Sequence, residues 1–255
     1  MVFIIYIFLW CISIRLINTS TVIVNNEDEL KNTLSYLNNT STDELIINVN
    51  NVKIDLLENF QIEGSVGKLS IIGKSKNSSI LNFEDTNNGI IYTNLVYDKT
   101  QEIKFANITI RGHLELYRIV NVIFEDVNID GSILFDKEFN YIWGDYISNG
   151  SEYLMNIVDI TISMSKMIYN AIGYKNEYCI RLIGDVIIND SQFYGDGSCG
   201  ETIIEYYGED LYTMDVSNIY FNGMYKNNCF FLYSVPLATF YSSTFENGVA
   251  TNYGG

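Results

Sequence analysis

Proline occurs once in 255 residues, histidine once, and lysine plus arginine only 15 times against 31 aspartates and glutamates. Each scarcity excludes something. A disordered chain is rich in Pro, Ser, Glu and Lys and poor in β-branched and aromatic residues; this one is 47% apolar and 14% aromatic, so disorder is ruled out. The formal charge of −16 and an isoelectric point near 4.3 remove nucleic acid as a partner, because phosphate binding needs a basic stripe. Beyond Arg15 the only arginines are Arg111, Arg118 and Arg181. A zinc site built on His and Cys is also excluded, since His113 stands alone and the four cysteines show no CxxC spacing. No cofactor or metal is expected.

What is abundant is isoleucine, asparagine and tyrosine, with 37, 30 and 20 copies. A chain of this length allows one large domain or two small ones, and all-β folds often use such a length as a single domain.

Residues 2–14 read VFIIYIFLWCISI, an apolar run that ends at Arg15 and a small polar stretch. Its length fits the core of a secretory signal better than a membrane span of about 20 residues. Residues 1–20 are therefore read as a signal peptide, the protein as secreted or cell-surface, and the mature chain as lacking a membrane span. Seven N-x-Ser/Thr triplets begin at Asn18, Asn38, Asn39, Asn77, Asn107, Asn149 and Asn189, a modest excess over chance. Removal of the signal takes Cys11 away and leaves Cys179, Cys199 and Cys229, an odd number.

Behind the signal, a short strand at Thr21 leads into one amphipathic helix. Asn26 suits its N-cap, Glu29 follows three residues on, and Leu30, Leu34 and Leu37 share a face. After it come short β-branched runs and a recurring segment. Copies start at Phe105 (FANITIRG), Phe124 (FEDVNIDG), Ile157 (IVDITISM), Ile188 (INDSQFYG), Val216 (VSNIYFNG) and Phe240 (FYSSTFEN). Asn and Asp tolerate the left-handed backbone that a one-residue corner requires, so the third position bends the chain between two strands. Flanking apolar residues such as Phe105 and Ile110 then point to a shared interior, and Gly112, Gly131, Gly195 and Gly223 end the strand. Such spaced self-similarity predicts a solenoid.

These segments resemble the right-handed parallel β-helix of the pectate-lyase-like superfamily, whose Asn stack lines an internal corner. The likeness runs from about Thr21 onward, and LSIIGKSKNSSILNF over 69–83 is similar to an opening coil of that superfamily. It implies that the helix plugs the first coil, with residues 21–65 forming the N-terminal strand, capping helix and first strands, and residues 66–255 the rungs. A second likeness, from Phe245 to Gly255, is to the repeat of polymorphic-membrane-protein-type β-helices found in surface adhesins and secreted β-helix proteins. It stops before the final Ala of that repeat, so the expectation is a β-helix that is incomplete at its C-terminus.

The catalytic motifs of the pectinolytic relatives are absent. His113 is followed by Leu114 rather than Gly, Arg118-Ile-Val lacks the Lys, and no Asp-Asp pair occurs. Two carboxylates on adjacent rungs would be close enough for glycosidic hydrolysis, and Glu125, Asp126, Asp130, Asp159 and Asp190 are the candidates. Three of them, Asp126, Asp159 and Asp190, hold corner positions and are more simply structural. The chain is accordingly expected not to be an enzyme. It is read as a secreted β-helix for adhesion or recognition, with a polysaccharide or cell-surface ligand as partner; the alternative is a fragment of a polysaccharide lyase or glycoside hydrolase.

The longest insertion, between the second and third copies, carries Tyr141, Trp143 and Tyr146, rings that suit stacking on a sugar face if they are not packed on the flank. Cys199 and Cys229 follow their copy starts by 11 and 13 residues and are expected to stack as a disulfide, leaving Cys179 unpaired. Glycosylation is expected at Asn38, Asn39, Asn77, Asn149 and Asn189, with Asn107 turned inward and unmodified.

Overall fold

The computed structural model describes residues 19–37, 43–64, 66–85, 87–94, 101–117, 119–135, 160–171 and 178–249. Its one described helix, α1 (Glu27–Leu37), follows β1 (Thr19–Val24). Then come β2 (Glu44–Val49), β3 (Lys53–Leu56), β4 (Phe60–Gly64), β5 (Lys68–Gly73), β6 (Ile80–Phe83) and β7 (Gly89–Asn94). The middle of the chain forms β8 (Glu102–Ala106), β9 (Thr109–Tyr117), β10 (Asn121–Glu125), β11 (Asn128–Phe135), β12 (Thr161–Ser165) and β13 (Ile168–Asn170). It continues through β14 (Ile180–Ile183), β15 (Asp185–Asn189), β16 (Gln192–Tyr194), β17 (Thr202–Tyr207) and β18 (Thr213–Ser217). Last are β19 (Tyr220–Asn222), β20 (Asn228–Tyr233), β21 (Leu237–Tyr241) and β22 (Thr244–Glu246).

The strands pair in parallel and in register. One sheet of nine strands runs β1-β2-β5-β8-β10-β12-β15-β18-β21, and a second, of 13 strands, holds the rest. Each strand of the first sheet meets its equivalent from the next coil, so the chain winds as stacked turns in a β-helix-like arrangement. The period-two alternation of Ile, Val and Phe follows from this. In β10 the burial alternates so that Val122 and Phe124 point inward, stacked on Ile103 and Phe105 of β8. Across the interior, Ile110, Ile129, Tyr169, Phe193 and Phe221 form another column, all of them fully buried. Fully burying each such side chain is worth about 1.5–3 kcal/mol. The Phe193 and Phe221 rings stack at 4.5 Å.

From β8 onward the chain turns between the two sheets on one left-handed residue per coil, Asn107, Asp126, Lys166, Asp190, Asn218 and Ser242, with φ near +50° throughout. Five of these are the expected corners. The third is not: Lys166 stands where the repeat placed Asp159, which lies outside the described residues. Registry with the neighbours decides it, since Phe124 pairs with Met164 and Ile129 with Tyr169, so the copy reads MSKMIYN from Met164. The corner is also turned the other way from the expectation. Asp190 and Asn218 are solvent-exposed, and Asn218 Nδ2 donates to Asp190 Oδ1 at 2.6 Å on the outside of the stack.

Gly195 and Gly223 do end their strands, whereas β9 and β11 run on through Gly112 and Gly131. There the glycines allow close stacking of two bends. A Cβ on Gly131 would collide with the Gly112 carbonyl oxygen, and one on Gly112 would lie 2.6 Å from a Phe83 ring carbon.

Helix α1 begins as the sequence suggests. Asn26 Oδ1 accepts from the Glu29 amide at 2.9 Å, and Glu29 reaches back to the Asn25 amide at 2.8 Å. That hydrogen bond from the Asn25 backbone holds the Glu29 carboxyl below its ordinary value. Leu30 and Leu34 are buried, and the helix packs on β1, β3 and β4.

Candidate functional site

The insertion with Tyr141, Trp143 and Tyr146 lies outside the described residues, as do Asn38, Asn39 and Asn149. Two expected glycosylation positions are described. Asn77 is exposed in the turn before β6. Asn189 is half-buried at the end of β15, its Oδ1 accepting from the Ser217 hydroxyl at 2.6 Å. Asn107 is half-buried as well, at its left-handed corner.

The cysteine expectation is overturned. Cys179 and Cys199 form the disulfide, with Cα atoms 5.0 Å apart, and Cys229 is a free thiol. Registry explains this. Residues 180–183 pair with 204–207, and Thr202 with Asn228, which places Cys179, Ile203 and Cys229 in one column with Ile203 between the two cysteines. Cys199 sits in the turn before β17, four residues ahead of Ile203, and from there it reaches Cys179. Burial pushes the Cys229 thiol up to about 11.

His113 is not a surface residue. It is 7% exposed on β9, stacked between Gly89 and Ser132 of neighbouring coils, and its Nε2 lies 3.4 Å from Glu115 Oε1. Burial lowers its pKa, with the Glu115 charge opposing the shift. Glu115 also accepts from the Tyr117 hydroxyl at 2.7 Å. Farther along the same outward face, Arg181 donates through Nε and Nη2 to Glu205 Oε2 at 3.0 and 2.8 Å. Burial works against the Arg181 charge, but the Glu205 hydrogen bond and charge outweigh it and raise its pKa. The guanidinium also lies 4.6 Å from the Tyr178 ring centre.

The carboxylates considered for hydrolysis are dispersed into separate ion pairs. Asp126 meets Lys76 at 2.8 Å, Glu125 meets Lys104 at 2.5 Å, Asp130 meets Arg111 at 3.2 Å, and Asp190 is on the corner ladder. Among the described residues no group of three or more His, Cys, Asp or Glu is placed to hold a metal ion. No described helix is long and apolar enough to cross a membrane.

The most ordered polar array is one that the sequence reading missed. The short strands after the corner present one outward position per coil, giving the column Asp55, Asn82, Arg111 and Asp130, continued by Asn170, Tyr194, Asn222 and Glu246. Asn82 donates to Asp55 at 2.6 Å and Asn170 to Asp130 at 2.8 Å. Lys53 beside Asp55 holds that carboxyl below its ordinary value. Toward the C-terminal coils Tyr194 of this column is joined by Tyr220 from the neighbouring outward position, the registry partner of Gln192. The Tyr194 and Tyr220 rings lie 5.8 Å apart, the Tyr220 hydroxyl donates to Glu246 at 2.9 Å, and Asn222 donates to Tyr220 at 3.1 Å. The Glu246 hydrogen bond raises the Tyr220 pKa. A signal for this column was in the sequence: it is the residue four after each corner, visible once the third copy is aligned on Lys166.

Comparison with family models, with curated proteins and with solved structures finds no match.

Proposed function

We propose that this chain is a secreted, non-catalytic recognition or attachment module, a right-handed pectate-lyase-like β-helix with α1 as its N-terminal cap, whose ligand is an extended polysaccharide at a cell surface. The observation that supports this reading is the outward column from Asp55 to Glu246. Its side chains repeat at the strand spacing of about 4.8 Å, and neighbouring rungs fix one another by hydrogen bonds. A polymer of similar linear repeat meets an equivalent group at every step, so weak contacts add along its length. Amides and carboxylates match sugar hydroxyls, and Tyr194 and Tyr220 offer ring area beside them. The apolar leader at 2–14 supports export.

The test is a panel of plant, fungal and bacterial polysaccharides in pull-down, comparing wild type with Tyr194→Ala/Tyr220→Ala. Loss of at least about tenfold in affinity is expected, equivalent to about 1.4 kcal/mol. Retention of full binding by the double variant, or no binding by the wild type, removes the reading; a parallel Trp143→Ala variant reports on the insertion instead.

A further inference from the structure

From β8 onward, each coil passes from its first-sheet strand to the short strand that follows through two residues, as in Asn107-Ile108 and Asp126-Val127. Between β5 and β6 the chain spends six, residues 74–79, on the same corner. Winding does not require the excess, and loops are where a rigid scaffold presents side chains for other uses. Most of this turn is tied down. The Ser75 carbonyl accepts from the Ser78 and Ser79 amides at 3.0 and 2.8 Å, and the Ser79 hydroxyl accepts from the Lys74 amide at 2.9 Å. The Lys76 carbonyl accepts from the Thr109 hydroxyl at 2.6 Å while its ammonium meets Asp126 at 2.8 Å, and Ser78 donates to Asn51 Oδ1 at 2.8 Å. At the tip, Asn77 is exposed, and its side-chain amide makes no hydrogen bond among the described residues.

Three N-x-Ser/Thr triplets fall within the described residues, at Asn77, Asn107 and Asn189. Their hydroxyl members Ser79, Thr109 and Ser191 are all buried, so the asparagine is what separates them. Asn189 is half-buried between Ser165 and Ser217 of the neighbouring coils and already accepts from the Ser217 hydroxyl. Asn107 is half-buried at its left-handed corner, with its carbonyl packed against Gly73. We infer that Asn77 carries an N-linked oligosaccharide and that Asn107 and Asn189 stay bare, an assignment that rests on the export reading above. The donor is a lipid-diphosphate-linked oligosaccharide of the export compartment. Asn77 Nδ2 bonds to the anomeric carbon of the first sugar as the bond from that carbon to the diphosphate breaks; the amide proton passes to a base and the lipid diphosphate leaves. The triplet is read in the extended chain before Ser79 is enclosed, and the fold must then keep a bulky, hydrophilic group in water. At Asn77 that group leaves from the tip of a braced turn and no contact between coils is given up. At Asn189 or Asn107 it would displace side chains from the ladder on which the coils stack.

The chain is produced in a glycosylating eukaryotic host twice, once behind its own leader and once behind an unrelated cleavable secretory leader joined at Thr19. Secreted protein is digested before and after enzymatic deglycosylation, which leaves Asp at each carrier Asn, and every triplet is read by mass. A glycan at Asn77 with bare Asn107 and Asn189 is expected, and Asn77→Gln is expected to lose it. Because the Asn77 side chain braces nothing, Asn77→Gln and deglycosylated wild type should unfold at the same denaturant midpoint. A lower midpoint for the variant would make Asn77 a structural contact and overturn the assignment. A bare Asn77 behind the unrelated leader overturns it, as does a glycan at Asn107 or Asn189 in secreted protein with one cooperative unfolding transition. A chain that stays inside the cell, unprocessed and bare, only behind its own leader removes the export reading instead, and with it the modification of the natural protein.

Discussion

At the level of single residues, the buried polar groups settle the corners that apolar patterning leaves open. Ser79 is fully buried; its hydroxyl lies 2.9 Å from the Asn50 carbonyl and accepts from the Lys74 amide at 2.9 Å, joining two coils. Asn227, likewise fully buried, accepts from the Gly197 amide at 2.8 Å and donates to the Gly200 carbonyl at 2.6 Å. Leaving one such group unmet costs about 1–3 kcal/mol. Neither residue stands out in the sequence, because 30 asparagines hide the one that reads a loop. His113 is testable as the only imidazole in the chain. Its folded pKa is depressed by burial, so the unfolded chain takes up the proton first as pH falls. The stability tied to the neutral ring is complete above the ordinary value of 6.5 and declines as pH drops toward the folded value. A single-peak NMR titration should place the midpoint below 6.5, and His113→Asn should flatten the denaturant midpoint between about pH 7 and 5.5. A midpoint at or above the ordinary value would falsify the buried, neutral assignment.

Among elements, the corner is the informative unit, and the sequence revealed it wherever Asn, Asp or Ser occupied it. It failed at Lys166, a residue type with no preference for the left-handed region, because IVDITISM at 157–164 satisfies the same pattern seven residues too early. The ladder overrides local preference there. The Lys166 amide donates to the Asn189 carbonyl at 3.1 Å, and the Asp126 amide to Ser165 at 2.9 Å, so the neighbouring coils hold the corner in place. A non-glycine residue pays about 1–2 kcal/mol in this conformation, and asparagine less than most. Lys166→Asn is therefore expected to stabilise the protein by about 0.5–1 kcal/mol, read from chemical denaturation. A destabilising result would show that the Lys166 side chain contributes something its exposed position does not suggest. The same one-copy misalignment hid the outward column, since Asn170 finds its place beside Asp130 only after the copy is shifted.

Across the whole molecule, the all-β parallel stack was legible because period-two alternation recurs with corners between, and six approximate copies carry that signal even when one is misplaced. The disulfide was not legible, because turn lengths vary between coils and cysteine pairing depends on registry rather than on residue counts. A stacked architecture makes a strong demand: each coil contacts its neighbours alone, so one in-register coil should be dispensable. Residues 102–120 are such a unit, since Glu102 pairs with Asn121 and the inward residues Ile103, Phe105, Ile110 and Leu114 lie on Val122, Phe124, Ile129 and Ile133. Joining Gln101 to Asn121 leaves β5 facing β10 and β6 facing β11 through chemically equivalent side chains. It also leaves the Cys179–Cys199 bridge untouched. The shortened protein is expected to give the same far-ultraviolet dichroism per residue and one cooperative unfolding transition, at lower stability because one nearest-neighbour interface is gone. If excision instead yields an unfolded chain, the coils are not interchangeable units, and the interior must depend on contacts that reach beyond adjacent turns.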